Sequence, residues 1–110
     1  MSLSQMDEEI QDIFGRKIRL TEDRKKHLEE DHPEMKDSVL NIKETLQNPD
    51  DVRISNSDSS VELFYKFFEV TLVEAKFLCV VVKNLVVDFF IITAYFTDKK
   101  KKGESKWTKE

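Results

Sequence analysis

The sequence predicts an α+β domain in which N-terminal helices pack on one face of a four- to five-stranded antiparallel meander sheet. Two observations lead there. Residues 76–97, KFLCVVVKNLVVDFFIITAYFT, are the one long apolar stretch, and its runs 77–82 and 86–96 are strand-length and rich in Val, Ile and Phe. Lys83-Asn84-Leu85 separates them, as in a hairpin. Upstream, Met35, Val39, Ile42 and Leu46 recur at helical spacing, a stripe that suits packing on a sheet. Lys76, Lys83 and Asp88 interrupt the apolar stretch too often for a membrane helix.

In chain order, residues 1–14 read as an acidic arm or short helix. Gly15 opens a short first strand, 16–20, in which Ile18 and Leu20 alternate with basic residues. Thr21 is a good N-cap, and Glu22 and Asp23 suit the positive end of a helix dipole. That helix runs to about Asp31, because His32 precedes Pro33 and is pushed from helical geometry. Leu28 is its one clear apolar residue. A second helix, 35–47, stops at Asn48-Pro49. Strands follow at 51–55 and 61–70, joined by the polar turn SNSDSS and linked through 71–75 to the central hairpin. Residues 15–98 thus make one domain, and 99–110 a basic polar tail with Trp107 as its anchor. In the last strand, Phe90, Ile92, Ala94 and Phe96 are expected on the helix-covered face. Thr93, Tyr95 and Thr97 fall on the other.

Composition bounds the function. A chain of 110 residues, 39 % hydrophobic, can build one core without metal or disulfide. The lone cysteine, Cys79, allows no internal disulfide and reads as a small buried hydrophobe, which with an acidic, leaderless N-terminus suggests a cytoplasmic protein. A net charge of −4 argues against broad nucleic-acid binding but leaves room for a local basic groove. Arg16, Lys17 and Arg19 form one basic cluster and residues 99–102 another.

The residues that could carry chemistry are few. His27 and His32, five apart, do not share a helical face, and no Cys/His set joins them, so neither metal nor cofactor is expected. Asp23 and Asp31 stand four residues either side of His27 and favour its protonated form, though a solvated surface histidine is the plainer reading. Lys83, Thr93 and Tyr95 are the polar members of the central hairpin, with Tyr65 a further candidate. A two- or four-residue loop turns Lys83 away from Thr93 and Tyr95, and a three- or five-residue loop joins them. Histidine, cation and hydroxyl together suit metal-independent RNA cleavage by attack of a 2′-hydroxyl, and equally suit no chemistry.

The succession LTEDRKKHLEEDHPEM (20–35), IKETLQNPD (42–50), Phe64-Tyr65, FLCVVVK (77–83), FIITAYFTD (90–98) and KKGESKW (101–107) resembles the barnase–EndoU–colicin–RelE-like (BECR) nucleases. The likeness is to the phage- and bacteria-associated subgroup with H-x4-HPE and a terminal V-x-T-A-Y strand. It implies a small metal-independent ribonuclease, toxin-like or phage-associated, with RNA as substrate and an antitoxin or immunity protein as partner. It assigns catalysis to His27, His32, Lys83, Thr93 and Tyr95. Members commonly carry a basic residue just before the HPE triplet, where this chain has Asp31, so Arg24, Arg53 or Lys66, with Tyr65, would contact substrate instead. That departure and the negative net charge support the alternative: a catalytically inactive binding module without membrane contact, a homodimer being one form for it.

Overall fold

The computed structural model describes residues 7–69 and 77–110. The start of the expected arm, the end of the third strand at 70 and the connection 71–75 lie outside these residues. Strands β1 (Glu8–Gln11) and β2 (Lys17–Leu20) are followed by helix α1 (Glu22–Asp31), a 3-10 turn at Pro33–Met35 and helix α2 (Val39–Gln47). Five further strands then follow: β3 (Asp51–Ser55), β4 (Val61–Phe67), β5 (Phe77–Asn84), β6 (Phe89–Thr97) and β7 (Gly103–Thr108).

The α+β class stands, but the four- to five-stranded antiparallel meander does not. Among the described residues, seven strands form one mixed sheet in the order β1-β2-β6-β5-β4-β3-β7, with β2 and β6 parallel and the other neighbours antiparallel. Only β3 to β6 run as a meander. The two unexpected strands lie at the sheet edges and come from polar segments. β1, EEIQ, buries Ile10 alone, and β7, GESKWT, half-buries Trp107. Short, charged strands at an edge need no apolar alternation, because one side of their backbone pairs and the other faces water. Part of the expected N-terminal arm and much of the expected C-terminal tail are therefore strand.

The β1–β2 turn is set by two residues. Gly15 adopts φ +81°, where a side chain would be strained. The buried Asp12 carboxylate accepts the backbone N–H groups of Phe14 at 3.0 Å and Arg16 at 2.8 Å. Thr21 caps α1 by accepting the Arg24 N–H at 3.1 Å, and Leu28 is that helix's single buried residue. Met35 is buried as its spacing suggested, but it belongs to the 3-10 turn. Asp37, at φ 62°, breaks the chain between that turn and α2.

One face of the sheet lies under the helices. Ile18, Leu20, Val52, Phe64, Leu78, Val80, Val82, Ile91 and Ala94 pack there with Leu28, Met35, Ile42 and Leu46. The opposite face carries a smaller cluster of Leu63, Tyr65, Cys79 and Val81, flanked by Val61, Phe77, Ile92 and Tyr95.

The last strand changes phase within its length. Val81 pairs with Thr93, but Val82 pairs with Ile91, so Ile92 is an extra residue in a β-bulge. Ala94 and Phe96 lie in the helix-covered core as expected, whereas Ile92 packs in the opposite cluster and Ile91 takes its place. A bulge shifts side-chain alternation by one, which strict period-two reading does not anticipate.

Candidate nucleic-acid interface

The open face is built in rows across three strands. Tyr65, Cys79 and Tyr95 are direct cross-strand partners, as are Leu63, Val81 and Thr93 one row along. The bulge also settles where Lys83 points. Asn84 pairs with Phe89, leaving a four-residue loop that by itself would turn Lys83 away from Thr93 and Tyr95. The extra residue at Ile92 reverses that parity. Lys83 sits beyond Val81 on the open face, with its Nζ 3.1 Å from the Asp58 carboxylate. Asp58 is held down to about 2 by the Ser60 hydroxyl and backbone N–H and then by Lys83.

Residues 98–102 cross this face as a strap. They leave β6 beside Phe77 and enter β7 beside Ser55, at the other end of the sheet, so the crossing is oblique. The strap is fastened along its path. The Lys101 N–H donates to the Tyr65 hydroxyl at 2.9 Å, and Arg53 Nη1 donates to the Lys101 carbonyl at 2.7 Å. Lys100 Nζ lies 4.9 Å from the centre of the Phe77 ring and 3.3 Å from the Asp51 carboxylate. These contacts leave the Lys101 and Lys102 ammonium groups exposed, and neither has an acidic partner among the described residues.

Below the strap lies a cleft of about 420 Å³. Val61, Leu63, Val81 and Ile92 contribute apolar surface to it. Ser55, Asn56, Ser57, Thr93 and Tyr95 line it with hydroxyl and amide groups, Lys101 and Lys102 with positive charge, and Asp58, paired with Lys83, with negative charge. Burial pushes the Cys79 thiol up to about 11, against the pull of the Tyr95 and Tyr65 hydroxyls, and pushes Tyr65 up to about 12. Tyr95 is raised as well, again chiefly by burial. At neutral pH the row is therefore uncharged.

Of the sequence-predicted site residues, Lys83, Thr93, Tyr95 and Tyr65 share this face, and Arg53 borders it. The histidines do not line the cleft. His27 is 57 % exposed on α1 and faces Asp23 at 3.6 Å and Glu30 at 4.0 Å of its own helix. His32 comes nearer: its ring centre is 5.6 Å from that of Tyr95, where the Pro33–Met35 turn packs along β6. Arg24 is exposed on α1, and Lys66 is tied to the Asn48 carbonyl at 2.9 Å and to Glu44. The open face thus gathers Lys83, Thr93, Tyr95 and Tyr65 and leaves Lys66 and the helix residues elsewhere.

Two features lay beyond the sequence reading. One is the strap. The other is a buried ion cluster centred on Glu62, whose carboxylate receives Arg16 at 2.6 Å, Asn84 at 2.9 Å and Lys106 at 3.0 Å. Arg16 also pairs with Asp12 at 2.8 Å and lies over the rings of Phe14 and Phe89. Burial would raise Glu62, but hydrogen bonds from Arg16, Asn84 and Lys106 outweigh it and lower it. Arg16 was one member of an expected basic cluster; here its charge is spent inside the protein. Two cations and two carboxylates balance within this cluster. No buried side-chain polar atom among the described residues lacks a partner. No family model, curated protein or solved structure matches the chain.

Proposed function

We propose that the chain binds single-stranded RNA on its open face, as a binding module. One observation carries this reading: Lys101 and Lys102, without acidic partners among the described residues, stand at the wall of a cleft that combines apolar surface, hydroxyl groups and Tyr95. Cations suit phosphate, hydroxyls suit ribose, and an apolar surface beside an aromatic ring suits a base. A volume of about 420 Å³ is in the range of small-ligand sites. The net charge of −4 does not oppose this, since charge acts locally. Lys83 offsets Asp58, Arg53 and Lys100 together exceed Asp51 by one charge, and Lys101 and Lys102 add to the positive character of the face.

The test is fluorescence anisotropy of a labelled oligouridylate at low salt, with wild type beside a Lys101→Ala, Lys102→Ala variant. Wild type should bind and weaken with salt, and the variant should lower the slope of log K against log salt by about 1.4, at roughly 0.7 per phosphate contact. No binding at low salt, or binding indifferent to the two lysines, sinks the reading.

A second reading is the metal-independent ribonuclease that the sequence resemblance implies, with an antitoxin or immunity protein as its partner. The contact of His32 with Tyr95 favours it, because that histidine stands nearest the cleft. In this reading His32 moves the proton and the strap lysines steady the phosphate. Cleavage of total RNA in excess EDTA, leaving 2′,3′-cyclic ends and lost in His32→Ala, would establish it. Intact RNA, or cleavage unchanged in that variant, would reject it. The buried free thiol of Cys79 is compatible with a cytoplasmic location, and among the described residues no helix is long and apolar enough to cross a membrane.

A further inference from the structure

The oblique strap divides the open face, and a second cleft of about 390 Å³ lies on its far side between β3 and β7. Asp51, Arg53, Ser105 and Thr108 line it, and Lys102 lines both clefts. From this shared residue we infer that the face takes two successive nucleotides, one in each cleft, with the phosphodiester between them on Lys102. The inference rests on the RNA-binding reading and adds the minimal ligand, a dinucleotide. The second cleft has its own cation. Arg53 donates through Nε to Asp51 at 2.9 Å and through Nη1 to the Lys101 carbonyl at 2.7 Å. Two of its five N–H groups are engaged there, so donors remain for an anion. Asp51 does not repel that anion, because Arg53 and Lys100 both neutralise it.

A strap lysine between two clefts differs from a lysine beside one. Its charge falls where a dinucleotide carries its internal phosphate, so a mononucleotide in either cleft uses only part of the site. Titration calorimetry with uridine 3′-monophosphate and with the dinucleotide UpU tests this directly. UpU should bind about tenfold or more tighter, the scale of one charge-assisted contact. Ser105→Phe fills the second cleft from an exposed edge position. It should bring UpU down to the affinity the monophosphate has for the first cleft. Lys102→Ala should weaken UpU more than the monophosphate.

The outcomes separate the two claims. Monophosphate and UpU binding equally well to wild type would overturn the two-cleft inference alone. Ser105→Phe leaving the UpU advantage intact would do the same. Failure of both ligands, and of longer oligouridylates, would overturn the RNA-binding reading with it.

Discussion

The two faces of the sheet solve the same packing problem with different chemistry. Under the helices, Phe64, Leu78, Val80 and Val82 meet Leu28, Met35, Ile42 and Leu46, and water is excluded by apolar contact. On the open face a five-residue strap replaces the helices, and the residues beneath it are Tyr65, Cys79 and Tyr95. Shape and apolar area hold the first face, whereas hydrogen bonds and ring–cation contacts hold much of the second. The covered face is filled by core side chains of strands and helices. The strapped face already presents donors and charge to solvent. In this fold, stability concentrates on one side and binding capacity on the other.

The contrast can be broken most severely on the covered side. Phe64 is fully buried there, and Phe64→Ala should cost about 3–5 kcal/mol in urea unfolding through lost burial and the cavity left behind. A cost near 1 kcal/mol would mean that this face is not the main core. Glu62→Gln should come next, at about 3 kcal/mol, because Arg16 and Lys106 lose the charge they surround. Its pH dependence has a definite sign. The Glu62 carboxyl is lowered in the folded protein, so its contribution is full above the ordinary glutamate range and fades as pH falls through the lowered value. Wild type should therefore lose its advantage over Glu62→Gln on acidification, and a constant gap from pH 7 to pH 3 would contradict the charged cluster.

Smaller effects belong to the strapped side. Tyr65→Phe removes the acceptor of the Lys101 N–H and should cost about 1 kcal/mol, and exchange of the Lys101 amide should quicken. Unchanged exchange would show that the strap is held by other contacts. The hairpin tip offers a change of opposite sign. Val86 is 81 % exposed at φ 75°, a conformation costly for a β-branched side chain and open to asparagine. Val86→Asn should raise stability by up to about 1 kcal/mol, seen as a higher midpoint with unchanged denaturant slope. A loss of stability would show that Val86 packs in a way its exposure conceals.

Much of this architecture was legible because local rules dominate. Thr21, Pro33 and the spacing of Ile42 and Leu46 place the helices, and β-branched runs place β5 and β6. The sheet's extent was not legible, because β1 and β7 owe their pairing to neighbouring backbone rather than to side-chain pattern. Nor was the bulge at Ile92. Its consequence is large, since one extra residue brings Lys83 onto the face of Thr93 and Tyr95. For the candidate site, the strand residues Lys83, Thr93, Tyr95 and Tyr65 were identifiable as the polar members of apolar strands. His27 drew attention by residue type, yet its helix carries it to solvent. Lys101 and Lys102 looked like a solvated tail because nothing local marks a charged run as a strap. Trp107 was the one available hint, since a tryptophan rarely ends an unanchored tail.

The central claim is that ligand binding belongs to the strapped face. It is tested most directly by two-dimensional NMR of the labelled protein during titration with a short oligouridylate. Amide shifts should concentrate at residues 53–58, 81–83, 92–95 and 100–105, and the Lys101→Ala, Lys102→Ala variant should need more ligand to reach them while keeping its folded spectrum. Shifts centred on His27 and the outer surface of α1, or none at oligonucleotide concentrations in the millimolar range, would contradict the account.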